Sequence, residues 1–186
     1  EKGANISDQW TGSELPLAFA SDSNPTDPVS NVNDKLISFN DRPANRWTNW
    51  NRTNPEASVG VLFGDSGILS KRSVDNLSVG FHEDHGVGVP KSYVIEYYVG
   101  KTVPTAPKNP SFVGEENHAF NDPANWKEVS NLKAPAQLKA GEMNHFSFDK
   151  VETYAVRIRM VRLDSKKGTS ITEVQIFAKQ VAAAKQ

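Results

Sequence analysis

A chain of 186 residues with no cysteine, 37% hydrophobic and 23% charged, is sized for one domain whose core closes without disulfides, cysteine-ligated zinc or a thiol nucleophile. The net charge of −1 comes from basic residues scattered among almost as many acids, which argues against nucleic acid as a partner. No apolar stretch approaches the roughly 20 residues of a membrane helix, so no membrane insertion is expected, and nothing at Glu1 to Trp10 resembles a signal peptide.

In chain order, Glu1 to Ile6 carries no pattern and reads as a linker. Leu15 to Ser21 is the first strand, followed by the turn cluster Ser23-Asn24-Pro25-Thr26-Asp27-Pro28. Ser58 to Phe63, then Gly64-Asp65-Ser66-Gly67, repeat the strand-then-turn sequence, and further strands are predicted at Asn76 to Phe81 and Tyr93 to Val99. Val103 to Asn125 is irregular and long for a loop, and so is functional or locally mobile. The last strands are His145 to Phe148, Thr153 to Arg162 and Ile171 to Phe177. Within Thr153 to Arg162, Tyr154, Val156, Ile158 and Met160 share one face, with arginines marking a wetter side. No helix of three turns stands out. The fold class is therefore all-β, an antiparallel β-sandwich or jelly roll, with a single module over 1–179 and a linker or tail over 180–186.

One polar cluster is the most unusual in the chain. His82-Glu83-Asp84-His85 invites a zinc-protease reading, but that motif needs His-Glu-x-x-His on a helix; here the histidines are three apart and Gly80, Gly86 and Gly88 point to a loop. Such a loop can donate hydrogen bonds, hold a metal with two imidazoles and two carboxylates, or simply be a solvated turn. Trp47 and Trp50 are the large aromatics of the segment Asn45-Arg46-Trp47-Thr48-Asn49-Trp50. Either tryptophan could anchor a core; Trp50, which precedes the polar run Asn51-Arg52-Thr53-Asn54-Pro55, is the better candidate for exposure. His118, Phe120, Asn121 and Trp126 could form another recognition surface, although Trp126 reads more simply as packing at a strand start.

The order of these pieces resembles the galactose-binding-like or discoidin-like sandwich family. They run from Asn33-Asp34 and the Arg46-Trp47 element through Val59-Gly60-Val61-Leu62-Phe63-Gly64, Val79-Gly80-Phe81, Pro90 to Tyr97, Trp126 to Val129 and Tyr154 to Ile158, ending with Ile171 to Phe177. More narrowly, the sequence is similar to carbohydrate-binding module family 71, found on large surface β-galactosidases of Gram-positive bacteria. That resemblance implies a non-catalytic module for galactose-terminated glycans such as lactose and N-acetyllactosamine. The module would be tethered to a larger chain and be extracellular, attached to the bacterial surface through its parent protein. The ligand positions it implies are Asn49, Trp50 and Arg52, with the loop His82, Glu83, Asp84 and His85. An indole face suits the C–H patch of galactose, and planar polar groups suit vicinal hydroxyls. It also implies a structural calcium held by Asp34, the Asn40 to Asn45 loop and Glu173, although Lys35 stands where the family has glycine.

Other functions compete with this reading. A protein- or lipid-binding adhesion module on the same sandwich is the alternative, but the polar, partly acidic loops do not suit a membrane surface. A hydrolase would need a placed carboxylate pair, and the sequence carries no triad signature or nucleophile elbow.

Overall fold

The computed structural model describes residues 3–9 and 12–178. Twelve strands occur among them: β1 (Leu17–Ala20), β2 (Trp47–Thr48), β3 (Glu56–Leu62), β4 (Gly64–Asp65), β5 (Ile68–Leu69), β6 (Arg72–Phe81), β7 (Val87–Gly88), β8 (Ser92–Tyr98), β9 (Trp126–Glu128), β10 (Met143–Thr153), β11 (Ala155–Val161) and β12 (Gly168–Gln175). One antiparallel sheet runs β1-β3-β11-β8-β9 and the other β10-β6-β12-β2, with β7 added parallel to β12 and β4-β5 a separate hairpin. The helical segments among the described residues are short 3-10 turns. The antiparallel sandwich read from the periodicity is the observed fold. The tail at 180–186 lies outside the described residues.

The alternation has a direct packing consequence. Val156, Ile158 and Met160 of β11 point between the sheets with Val59, Val61 and Ile95, meeting Val79, Phe81, Phe146, Ile171 and Val174 of the facing sheet. Register is fixed by this division, because a slip of one residue would turn every such side chain outward. Tyr154, assigned to that inner face, instead packs with a second apolar cluster.

That second cluster lies on the other face of the first sheet, where Phe19, Leu62 and Ala155 pack with Val113, Phe120 and Trp126. The irregular stretch 103–125 is the cover of this face. Its 3-10 turn Pro110–Glu115 lies along β1, and the Gly114 N–H donates to the Ser21 carbonyl at 2.9 Å. The Trp126 indole N–H donates to the Phe120 carbonyl at 2.9 Å, and the Arg157 guanidinium sits 4.0 Å over the Trp126 ring. The His118 side chain accepts from the Phe120 N–H, so His118, Phe120 and Trp126 serve packing. Apolar cover on both faces explains why β3 is buried almost throughout. Gly60 is required there: a Cβ would lie 2.4 Å from the Val156 carbonyl oxygen and 2.6 Å from the Phe19 ring.

The patternless start of the chain is also built in. Asn5 bridges Phe177, the Ile6 N–H donates to the Ile176 carbonyl at 2.8 Å, and the Ser7 hydroxyl donates to the Val174 carbonyl at 3.0 Å. Reading Glu1 to Ile6 as linker is thus corrected from Ala4 onward, since hydrogen bonds to the last strand rather than apolar periodicity hold this segment.

Candidate functional site

The site begins where β6 ends. Phe81 is fully buried, and the His82 N–H donates to the Ser170 carbonyl at 3.2 Å, so the loop leaves the sheet in fixed register. Asp84 then closes a tight turn: its Oδ1 accepts from the Gly86 and Val87 N–H groups at 2.8 and 3.1 Å. Its Oδ2 accepts from Arg46 Nη1 at 2.7 Å, which ties the loop to the segment entering β2. Burial pushes the Asp84 carboxyl up, but the Gly86 N–H, the Arg46 guanidinium and the Val87 N–H pull harder and leave it below the usual carboxylate range.

The same segment sorts four adjacent residues. Trp47 and Thr48 pair with Ile171 and Ser170; Trp47 is fully buried, its indole N–H directed at Ser23 Oγ 2.9 Å away. Asn49 is also buried, and its carboxamide oxygen accepts from the Thr169 N–H at 2.7 Å. Trp50 is turned out, 49% exposed, with Asn51 following at a φ of 59°. The indole lies against Gly86, where a Cβ would come within 2.8 Å of its Nε1. Any side chain at position 86 would push the indole from this place.

Trp50 forms one wall of a cleft of about 630 Å3, shared with Arg46, Asp84, His85, Gly86 and Val87. Asp27, Asp41, Arg42 and Lys166 complete its polar lining. His82 is buried beside Asp41, 3% exposed. Its Nε2 is 2.8 Å from Asp41 Oδ1, but the oxygen lies off the N–H direction, so this is a close polar approach and not an aligned hydrogen bond.

The structure therefore brings together Trp50, Asp84 and His85 from the sequence-derived set, with His82 buried next to Asp41 and outside the lining. It separates three others. Asn49 faces inward as a brace for Thr169, whose N–H its buried carboxamide oxygen accepts. Arg52 turns away to Asp22, with Nε donating to Oδ1 at 2.9 Å and the guanidinium over the Phe112 ring. Glu83 is exposed, 3.7 Å from Lys167 Nζ, and does not line the cleft. Asp27, Asp41, Arg42, Arg46 and Lys166 were not singled out as ligand positions. Arg46 was visible inside the Arg-Trp element, whereas Lys166 sits in a loop with no local signal.

The residues proposed for calcium fall elsewhere. Asp34 Oδ1 accepts from the Leu36 N–H at 2.9 Å and Oδ2 from Asn45 Nδ2 at 3.0 Å. Asn40 is exposed. Glu173 is completely buried and neither carboxylate oxygen has a hydrogen-bond partner. Burial, then the charges of Asp34 and Asp8, push its carboxyl up to about 9, and the N–H groups of Lys35 and Val174 offset this only partly because neither reaches hydrogen-bonding geometry. A hard cation accepts such oxygens, so an uncompensated buried carboxylate beside Asp34 fits calcium. Asn45, which donates its amide N–H to Asp34, would have to present its oxygen instead.

A two-sheet antiparallel sandwich with a loop-built polar cleft and, among the described residues, one exposed indole is the architecture of a carbohydrate-binding module of the galactose-binding-like fold. Residues 18–174 match the family model described as a beta-galactosidase-like, galactose-binding domain, and the chain belongs to that family. A solved structure from the Streptococcus pneumoniae β-galactosidase BgaA is 90% identical, with a TM-score of 0.94 over 96% of this chain and 100% of that one. The family 32 module of Clostridium perfringens NanJ, solved with galactose, shares the fold at 16% identity and a TM-score of 0.56, covering 87% of this chain and 92% of its own. The lectin domain of lectinolysin, solved with Lewis B antigen, does so at 12% identity and a TM-score of 0.60, covering 97% and 100%. No curated protein matches the chain.

Proposed function

We propose that the module binds terminal β-galactosides, lactose and N-acetyllactosamine, in the Trp50 cleft, and so holds a linked β-galactosidase at glycan-bearing surfaces outside the cell. The observation that carries this is the half-exposed Trp50 indole in the lining of a cleft shared with a dense set of polar groups, of which the Arg46–Asp84 pair is tied in place. Galactose has an axial 4-hydroxyl that leaves one ring face largely C–H, which an indole covers, while Asp41, His85 and Arg42 lie within the same cleft for its hydroxyls. NanJ, which shares the fold, was solved with galactose. Single-site affinity is expected in the range of about 10 to 1,000 micromolar, or about −4 to −7 kcal/mol. Calorimetric titration with lactose, glucose and maltose, with tryptophan fluorescence followed in parallel, tests it. A lactose-selective response that quenches or shifts Trp50 supports the reading, and a folded protein indifferent to lactose overturns it.

We also propose calcium at Glu173 and Asp34 as a staple for the 34–45 loop, supported by the two partnerless oxygens of Glu173. Its readout is thermal stability with and without calcium.

A further inference from the structure

We propose that Asp41, His82 and Asp84 form a second, chemically different cation site at the buried edge of the cleft, selective for a borderline first-row divalent ion, with zinc as the probe. Each residue offers one ligand atom, and these atoms lie within 4.8 Å of one another. The decisive member is His82, 3% exposed, whose Nε2 is buried without a hydrogen bond although Asp41 Oδ1 stands 2.8 Å away. A buried polar nitrogen without a partner is destabilising; with its proton moved to the other ring nitrogen, Nε2 and the Asp41 carboxylate would converge on a cation shared between them.

Zinc bonds of about 2.0–2.2 Å place neighbouring ligands about 3 to 3.5 Å apart, so the cluster must close by about an ångström. Asp41, whose side chain is 71% exposed, is the member free to move. Asp84 is the fixed member. Its carboxylate offers about four acceptor directions, of which Arg46, Gly86 and Val87 occupy three. Asp27, Asp41 and Asp84 share the cleft lining with Arg42, Arg46 and Lys166, so the attraction for a cation comes from the converging ligand atoms and not from net charge. An imidazole with two carboxylates favours zinc-like ions, in contrast to the carboxylate donors of Glu173 and Asp34. This site goes beyond the galactoside reading and does not depend on it.

The test is titration of zinc chloride into the sugar-free module in metal-free buffer by calorimetry, repeated with cobalt(II) as an absorbance probe. The parent chain is compared with Asp41→Asn and His82→Asn, each checked for folding by circular dichroism. One ion per chain is expected, with binding weakened at least about tenfold in Asp41→Asn and the cobalt band lost in both variants. If His82→Asn does not fold, Asp41→Asn decides alone. No saturable binding below about 1 mM overturns the proposal. So does an Asp41→Asn variant that binds like the parent, since other imidazoles would then hold the ion.

Discussion

Asp84 and Glu173 are both acids withdrawn from solvent on the second sheet or the loop leaving it, and they are treated in opposite ways. Asp84 receives two backbone N–H groups and a guanidinium and is held below the usual carboxylate range. Glu173 has no hydrogen-bond partner for either oxygen and is pushed up to about 9. The first is a finished structural joint that shapes a cleft. The second is neutral near pH 7 unless a cation arrives. Burial alone therefore does not say what a carboxylate is for; the donors around it do.

The most damaging way to break the comparison is Asp84→Ala. It removes the turn and leaves the Arg46 guanidinium, whose Nε is already buried without a partner, unpaired. A loss of about 3 kcal/mol is expected, measured by urea unfolding, together with loss of lactose binding in calorimetry. Trp50→Ala sharpens the contrast by removing the proposed sugar platform without touching either acid. Lactose affinity should fall by a factor of about 30 or more, roughly 2 kcal/mol. The exposed indole should leave the melting temperature within about 2 °C.

Glu173→Gln comes next. A folded-state value raised from 4.5 to about 9 means that the folded protein holds a proton the unfolded chain has released. Without calcium, this contribution is fully present below pH 4.5 and is lost progressively as pH rises towards 9. Glu173→Gln should therefore flatten the fall in stability between those limits, gain about 1–2 kcal/mol near pH 8 and lose any stabilisation by calcium. A steep decline retained in the variant would assign the effect to other groups. The smallest effect is expected for Glu83→Ala. Its exposed 3.7 Å contact with Lys167 predicts a change below about 0.5 kcal/mol and unchanged lactose titration.

The strands were legible because alternation is a local record of which face is buried: β11 shows Val156, Ile158 and Met160 at every second position. The cover over the first sheet was not, since the role of residues 103–125 depends on Phe120 and Trp126 meeting Phe19 from far along the chain. The site was half legible for the same reason. Asn49 and Trp50 are adjacent polar-run neighbours, and what turns one inward and the other outward is the Thr169 N–H and the bare backbone of Gly86. Both contacts are long-range. Asp41 was read as part of a calcium loop because its relation to His82 exists only after β6 and the 34–45 loop are brought together.

β12 has a mechanical consequence. At its Gly168 end the strand abuts Trp50, and Phe177, just past its other end, bridges Asn5, about 30 Å away at the rise of an extended chain. A pull between a glycan in the cleft and the far end of the sandwich would run lengthwise along this strand. β6 and β2 flank it with hydrogen bonds on both sides, so such a load shears many bonds together instead of opening them one at a time.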